Sequence, residues 1–230
     1  MSRRGFTLIE LLVVVTIIVV LLAMLVPAMG KALETSSRVS CAAELHQISV
    51  SCLSYATDND RLLPTGKRDG DHYEHTPWIS EETHKALMGY TLQTDILHCP
   101  NYVGGFGYNQ PSSGWVIGYN YIASHPNCTA VQGWANPVRA TDPTNLPLIS
   151  DYNNWSPPDG WTFVSHTAGG AAGTAATGYY NYLGGLTPLQ VGSEGGNLCL
   201  LDGSAAWKPL SKMVQYESAE TGVNRYPAMW

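Results

Sequence analysis

One carboxylate, that of Glu10, interrupts an otherwise apolar run over residues 6–29. A charged side chain in a membrane-spanning helix costs about 2.5–3.5 kcal/mol at the membrane centre, so it usually has a partner and a function. Glu10 follows Phe6 by four residues, which is about 6 Å along a helix. If the chain were cut between Gly5 and Phe6, a new ammonium group would lie close to that depth. We therefore expect Glu10 to pair with the Phe6 amine of a neighbouring chain.

Disulfide chemistry is open to the five cysteines, Cys41, Cys52, Cys99, Cys128 and Cys199. Disulfides are typical of domains exported from the cytoplasm. Cys41 and Cys52 lie on one predicted helix, about 16 Å apart, which is too far for a bond between them. We favour a bond between Cys99 and Cys128, because both lie in loop-like sequence. Cys199 alternates with leucines, so we expect a small core residue there.

Zinc is an alternative use of two of these thiols, together with His98 and His125. Two histidines with two cysteines are a common zinc ligand set. However, His98 and Cys99 are adjacent, so their side chains point apart unless the backbone turns sharply. The spacing to His125 and Cys128 also matches no common zinc module. We favour the disulfide and predict no resident cofactor.

The loops would suit calcium better than zinc, because they are rich in oxygen ligands. The candidate ligands are Asp151, Asn153 and Asp159, with similar groups at residues 58–60 and 69–71. Asp, Asn and Gly are also favoured in ordinary turns. We favour turn chemistry at all three places.

Catalytic motifs are missing from the sequence, which has no G-x-S-x-G, H-E-x-x-H or Gly-Lys-Ser phosphate loop. We therefore predict that the chain is not an enzyme. Charged residues make up only 13% of the chain and its net charge is −6. Since no basic face is present, nucleic acid is not an expected partner.

Aromatic residues in the middle of the chain suggest another kind of binding. They could form a platform that binds sugars or a surface, as on an adhesin-like tip protein. Buried aromatic side chains are the commoner arrangement, so we favour core and subunit contacts. The residues are Trp115, Tyr119, Tyr121, Trp134, Trp155 and Trp161.

A helix over residues 6–29 must position Glu10. At 1.5 Å per residue it is about 36 Å long, enough to span a hydrocarbon core of about 30 Å. The run is too long for the apolar core of a secretory signal peptide. Arg3 and Arg4 precede it, so the positive-inside rule keeps residues 1–5 in the cytoplasm and sends the C-terminal domain across the membrane.

The helix is expected to continue beyond Pro27 as an amphipathic half over residues 30–58. Pro27 lacks a backbone N–H, so we expect a kink or local melting around residues 22–30. Apolar residues then recur with helical spacing on one face, which predicts that this half packs on the rest of the protein. That stripe consists of Cys41, Leu45, Ile48, Cys52 and Tyr55.

Residues 59–230 are predicted to form one globular domain of short strands separated by turns. The best strand candidates span residues 115–122, 146–149, 161–164 and 197–201. Asp202-Gly203 predicts a two-residue hairpin turn. Strands without intervening helices imply an antiparallel sheet, on which the amphipathic half of the helix packs. The predicted fold class is α+β.

Arg3-Arg4-Gly5 followed by Phe6-Thr-Leu-Ile-Glu10 resembles the type III signal of type IV prepilins and type II secretion pseudopilins. The resemblance implies that a membrane aspartyl peptidase cuts after Gly5 and methylates the new Phe6 amine. It also implies that Glu10 guides subunit docking. Pro27 falls where these proteins carry a helix-kinking proline.

The domain also resembles a large group of bacterial pilin-like proteins with a C-terminal Asp-Gly hairpin motif. The segments that follow that group's order and spacing are residues 41–48, 55–60, 63–64, 98–100 and 197–203. Proteins of the group often carry a histidine ten positions before the Asp-Gly, where this chain has Gly192. A histidine-dependent role is therefore not expected.

Together the two resemblances imply a structural subunit of a type IV pilus-like or type II secretion pseudopilus filament. The alternative is a minor, adhesin-like binding module displayed on such a filament. Expected partners are copies of the chain, other pilin-like subunits, a prepilin peptidase, an inner-membrane assembly platform and the lipid bilayer before assembly. The expected location is the bacterial inner membrane, crossed once with the C-terminal domain outside the cytoplasm, followed by a periplasmic or cell-surface filament.

Overall fold

A long N-terminal helix and antiparallel β-sheets form this protein, so its fold class is α+β as predicted. The structure is a computed structural model. It describes residues 7–70, 75–91, 95–102, 108–110, 114–126, 134–172, 183–221 and 224–230.

The first helix, α1 (Leu8–Asp58), begins at the N-cap Thr7 and ends at Asn59. It is helical throughout residues 22–30, so the expected melting at Pro27 is wrong, and the kink stays a prediction. A proline removes only one backbone donor, and a helix with long flanking segments can propagate past that loss. The division of α1 at residue 30 also remains a prediction.

The amphipathic half of α1 packs on the sheet with the face that the sequence indicated. Cys41, Leu45, Ile48 and Cys52 are fully buried, whereas Tyr55 is half-buried. These side chains belong to the main hydrophobic core together with residues from the strands, such as Tyr119. The stripe therefore attaches α1 to the globular domain.

A second helix, α2 (Glu81–Gly89), was not predicted. Ser80 is its N-cap, and the Ser80 hydroxyl accepts a hydrogen bond from the Thr83 backbone N–H. The helix buries Thr83 and Leu87 against the core. Its single N-cap and short apolar face gave too little periodic signal to separate it from a loop.

Twelve short strands lie in the described residues. In chain order they are β1 (Trp78–Ile79), β2 (Tyr108–Gln110), β3 (Gly114–Val116), β4 (Asn120–Tyr121), β5 (Pro147–Ser150), β6 (Asn153–Ser156), β7 (Trp161–Thr167), β8 (Gly170–Ala172), β9 (Ser193–Leu200), β10 (Ala205–Pro209), β11 (Gln215–Thr221) and β12 (Asn224–Met229).

The main sheet has the strand order β11-β12-β6-β7-β9-β5-β4, with β10 paired to β9 and β8 paired to β7. A smaller sheet has the order β1-β3-β2. All paired strands are antiparallel, as the absence of long crossover helices predicts. The predicted single strand over residues 115–122 is wrong, because it is divided between β3 in the small sheet and β4 in the main one.

The predicted hairpin at Asp202-Gly203 is present, but the expected two-residue turn is wrong, because residues 201–203 form a three-residue loop closed by a hydrogen bond from the Leu200 N–H to the Ser204 carbonyl. It joins β9 to β10, where Ala205 pairs with Cys199. Gly203 has a φ of +83°, a left-handed conformation that glycine adopts without strain. Both strands of the hairpin face α1, and β9 is the more deeply buried of the two.

The aromatic residues considered as a binding platform are core residues. Five of them are buried and Trp115 is half-buried. Trp134 packs edge-on against Trp230 at 5.1 Å between ring centroids. The described structure therefore offers these rings as packing groups rather than as an open surface.

Candidate functional site

The N-terminal half of α1 is apolar and exposed. None of residues 7–33 is buried by the rest of the chain, and Leu8 is 85% exposed. Among the described residues, α1 is the helix that is long and apolar enough to cross a membrane. Pro27 lies within this exposed segment. Such a surface needs a lipid bilayer or other helices around it.

Glu10 lies in a capping box at the start of that segment. Its Oε2 accepts hydrogen bonds from the Thr7 backbone N–H and from the Thr7 hydroxyl, both at 2.8 Å. In return the Glu10 backbone N–H donates to the Thr7 hydroxyl oxygen at 3.3 Å. The carboxylate is therefore folded back over the N-terminus of the helix, whose dipole favours negative charge.

The predicted processing residues Gly5 and Phe6 lie outside the described residues, so their roles stay predictions. The position of the Glu10 carboxylate is nevertheless relevant to a charged group placed just before Thr7. The Glu10 carboxylate points back toward the chain entering the helix, at the level of the helix N-terminus. A cation arriving there would find a carboxylate oxygen, Oε1, that makes none of the bonds to Thr7.

Cys99 lies beside Cys41, a neighbour that the sequence did not indicate. It is buried, and its Sγ lies 3.1 Å from Cys41 Sγ on α1. Cys128 lies outside the described residues, so the Cys99–Cys128 bond stays a prediction. The sequence did not identify Cys41 as a neighbour of Cys99, because the pairing was chosen by the loop-like surroundings of the cysteines. Cys199 is a buried core residue, as expected.

The residues of the rejected zinc set have separate surroundings where they are described. His125 is buried beside Trp134, with 5.7 Å between ring centroids, and burial lowers its pKa to about 4. His98 is half-buried. A histidine held neutral by apolar packing fits a core role.

The three calcium candidates are engaged with protein groups. Asp151 Oδ2 accepts from the Asn197 backbone N–H, and Asn153 Oδ1 accepts from the Ser193 hydroxyl. Asp159 accepts from the Ser156 hydroxyl at 2.8 Å in the turn after β6. The Asp159 contact is ordinary turn chemistry. Calcium at these residues stays a prediction.

Four side chains of metal-ligating types meet inside the protein, although the sequence did not indicate this group. Their ligand atoms all lie within 4.8 Å of one another, and every member is buried. We call this group the Cys-Asp-His cluster; it consists of Cys41, Cys99, Asp151 and His166. The members come from α1, from the segment after the 3-10 turn at residues 95–97, from the residue after β5 and from β7. Because the four residues are far apart along the chain, the sequence contains no spacing pattern that would reveal the cluster.

Two carboxylates flank His166 in this cluster. Its Nδ1 lies 2.8 Å from Glu34 Oε1, and its Nε2 lies 3.1 Å from Asp151 Oδ2. Burial lowers the pKa of His166, but the Asp151 and Glu34 carboxylates outweigh burial and raise this pKa above its ordinary value. Arg38 completes the arrangement: it pairs with Glu34 at 3.0 Å and stacks over a tryptophan ring.

The thiols of the cluster are not activated nucleophiles. The adjacent Cys99 thiol and burial both raise the pKa of Cys41, so the protonated form is favoured. Reactive cysteines need the opposite environment, with a lowered pKa and some exposure. The cluster is thus suited to cross-linking or metal binding rather than to nucleophilic catalysis.

Comparisons with known proteins agree with the geometry of the N-terminal segment. Residues 1–26 match the family model described as the prokaryotic N-terminal methylation motif. The chain is 38% identical over 77 residues to competence protein ComGC of Halalkalibacterium halodurans. That alignment covers 32% of this chain and 74% of the relative. No solved structure matches the chain.

Proposed function

Since this chain belongs to the type IV pilin-like proteins that carry the N-terminal methylation motif, we propose that it is a structural subunit of a type IV pilus-like or type II secretion pseudopilus filament. The observation that supports this most is the exposed apolar half of α1 with Glu10 at its tip. A filament core made of such helices would bury that surface between subunits.

Before assembly, the same helix would hold the chain in the bacterial inner membrane, with the C-terminal domain outside the cytoplasm. A prepilin peptidase would then cut between Gly5 and Phe6 and methylate the new amine. The remaining partners would be other pilin-like subunits and an inner-membrane assembly platform. Cleavage creates an ammonium group on the residue next to Thr7, the partner of Glu10 in the capping box.

Docking would pair the carboxylate of Glu10 on one subunit with the Phe6 amine of a neighbouring subunit. In the isolated chain, Thr7 already donates two hydrogen bonds to Oε2. The capping box therefore orients the carboxylate, and Oε1 would receive the ammonium group. Inside an apolar filament core, either charge without the other would be costly.

The test is a Glu10→Leu variant expressed beside the wild-type subunit, with membrane, cleaved and filament fractions scored separately. We expect normal insertion and cleavage, because the leader and Gly5 are unchanged. The filament fraction should fall more than about tenfold, since the neighbour's buried amine has lost its partner. Glu10→Gln should lose less, because an amide oxygen still accepts a hydrogen bond.

The matched control is Thr7→Ala, which removes the capping side chain and keeps the carboxylate. This variant should still enter filaments, so that loss of the helix cap is separated from loss of the counter-charge. Normal incorporation of Glu10→Leu would contradict the docking role and leave only a membrane-anchored exported domain.

A further inference from the structure

We propose that the Cys-Asp-His cluster is a zinc site that fastens α1 to the β-sheet. Its ligands would be Cys41 Sγ, Cys99 Sγ, Asp151 Oδ1 and His166 Nε2. The inference is independent of the filament function, since none of the four lies in the exposed half of α1. It replaces two expectations from the sequence, the Cys99–Cys128 disulfide and the absence of a resident metal.

The ligand types and distances suit a tetrahedral zinc ion. Zinc binds thiolate sulfur at about 2.3 Å and imidazole nitrogen or carboxylate oxygen at about 2.0–2.2 Å. Around one tetrahedral ion, such bonds place the ligand atoms about 3.3–3.8 Å from each other. The two sulfurs, a ring nitrogen of His166 and a carboxylate oxygen of Asp151 already lie within 4.8 Å of one another, with the sulfurs at 3.1 Å. To hold the ion, the two sulfurs would move apart by about 0.7 Å and the most widely separated ligand atoms would approach by about 1 Å.

Two polar atoms of the cluster have no hydrogen-bond partner although they are fully buried. They are Asp151 Oδ1 and His166 Nε2. His166 Nε2 lies 3.1 Å from Asp151 Oδ2, a contact that becomes an ion pair when His166 is protonated but is not a well-directed hydrogen bond. A disulfide between the cysteines would satisfy neither atom, and an ion pair of His166 with Asp151 would leave both thiols and Oδ1 unused. A metal ion uses all four groups.

Neighbouring residues orient the proposed ligands. Glu34 Oε1 lies 2.8 Å from His166 Nδ1, so the Nδ1–H donates to this carboxylate and the Nε2 lone pair is left for the metal. A carboxylate behind a ligating histidine is a common arrangement at zinc sites. The Asn197 backbone and side-chain N–H groups both donate to Asp151 Oδ2, which leaves Oδ1 as the ligand.

The charges around the site offset one another only in part. Binding would release the two thiol protons, and any proton held on His166 Nε2, to solvent, while Asp151 would bind as a carboxylate. A zinc ion with two thiolates and one carboxylate carries one net negative charge. Arg38, paired with Glu34 at 3.0 Å, supplies a cation next to the Glu34–His166 pair.

The site would cross-link the domain because its ligands come from four separate segments. Cys41 is on α1, Asp151 follows β5 and His166 is on β7, so one ion would join the helix to the sheet. The unfolded chain does not hold these groups together, so binding energy would stabilise the folded domain.

The first experiment measures the metal of the full chain, extracted from membranes in detergent without chelator. Elemental analysis of one aliquot should give about one zinc per chain. Non-reducing peptide mapping of a second aliquot should recover Cys41 and Cys99 as free thiols. A bond from Cys99 to Cys41 or Cys128, or a chain with neither metal nor disulfide, would overturn the proposal.

Substitutions of the proposed ligands test where the zinc ion binds. Cys99→Ala and His166→Ala should lose the zinc, whereas Cys199→Ala, a buried cysteine outside the cluster, should retain it. Zinc retained by both cluster variants would overturn the site. Because these variants could fail to fold, the wild-type chain provides a second measurement. Its Tm should fall by at least about 5 °C after chelation and return with Zn²⁺ but not Mg²⁺; an unchanged Tm would also overturn it.

Discussion

At the residue scale, Glu10 has one set of contacts in the isolated chain and would acquire another in a filament. Its carboxylate is held by Thr7 at the exposed start of α1, so it needs no partner from the domain. The capping box satisfies backbone donors that would otherwise be left open at a helix N-terminus. Substitution of Glu10 therefore has two separable effects, on the helix end and on assembly, and the Thr7→Ala control is designed to tell them apart.

His75 is a second residue with a measurable consequence, because it is neutral in the folded domain. Burial, together with nearby His125 and Arg68, lowers its pKa to about 3, against an opposing effect of Asp159. Its ring packs on Tyr226 and Trp161, at 4.6 and 5.8 Å between centroids. Below pH 6.5 the unfolded chain therefore binds more protons at this position than the folded chain does.

The free energy of unfolding should accordingly fall as the pH is lowered from 6.5 toward 3, by at most about 1.4 kcal/mol per pH unit from His75. His75→Phe keeps an aromatic ring but removes the titration. The variant should show a shallower loss of stability on acidification. Urea unfolding of both full chains in the same detergent, at pH 4, 5, 6 and 7, provides the measurement. Parallel pH profiles for the two proteins would show that His75 does not titrate in this way.

At the scale of elements, α1 combines two surfaces with different partners. Its second half contributes Cys41, Leu45, Ile48 and Cys52 to the core, whereas its first half is exposed to residue 33. One continuous helix can carry both because each surface depends only on side chains within its own turns. The stability of the domain should thus depend on where along α1 a side chain is removed.

Leu45→Ala should lower the free energy of unfolding by about 2–5 kcal/mol, because the side chain is fully buried and its loss leaves a cavity. The matched control is Leu33→Ala on the same helix. Leu33 is 62% exposed, so its truncation should cost less than about 0.5 kcal/mol. Denaturant unfolding of the full chains in detergent would compare them. Equal costs would mean that the packing of α1 on the sheet does not govern stability.

At the scale of the whole molecule, the core of the domain is complete without the N-terminal segment. No residue from 7 to 33 is buried, and the first buried side chain of α1 is that of Glu34. Only surroundings outside the chain, either lipid or other subunits, would therefore bury the apolar segment. Under the proposed function, this separation would let one sequence pass from membrane to filament while the domain keeps its fold.

A chain that begins at Gly30 should accordingly be soluble without detergent and fold as the full chain does. Its free energy of unfolding should lie within about 0.5 kcal/mol of the full-length value in the same detergent, since no core contact is removed. Circular dichroism and denaturant unfolding would measure this, and filament entry should be lost. Aggregation or a broad, uncooperative transition would show that the N-terminal half contributes to the domain after all.

Local patterns in the sequence determined the features whose causes are local. The apolar run with Glu10 identified the membrane-length helix, and the periodic stripe at Cys41, Leu45 and Ile48 identified its packed face. Asp202-Gly203 identified the hairpin, because a left-handed turn position favours glycine. In each case the signal and the structure lie within a few turns or a few residues of chain, so neighbouring residues suffice to specify the outcome.

Tertiary structure alone decided which distant residues meet. Residues 115–122 form strands of two different sheets, because β3 pairs with β1 while β4 pairs with β5. Cys41 lies against Cys99, and Asp151 and His166 join them from two further segments. Pairings of this kind depend on how the helix and strands close around a common core, and a single sequence carries no periodicity or spacing that records them.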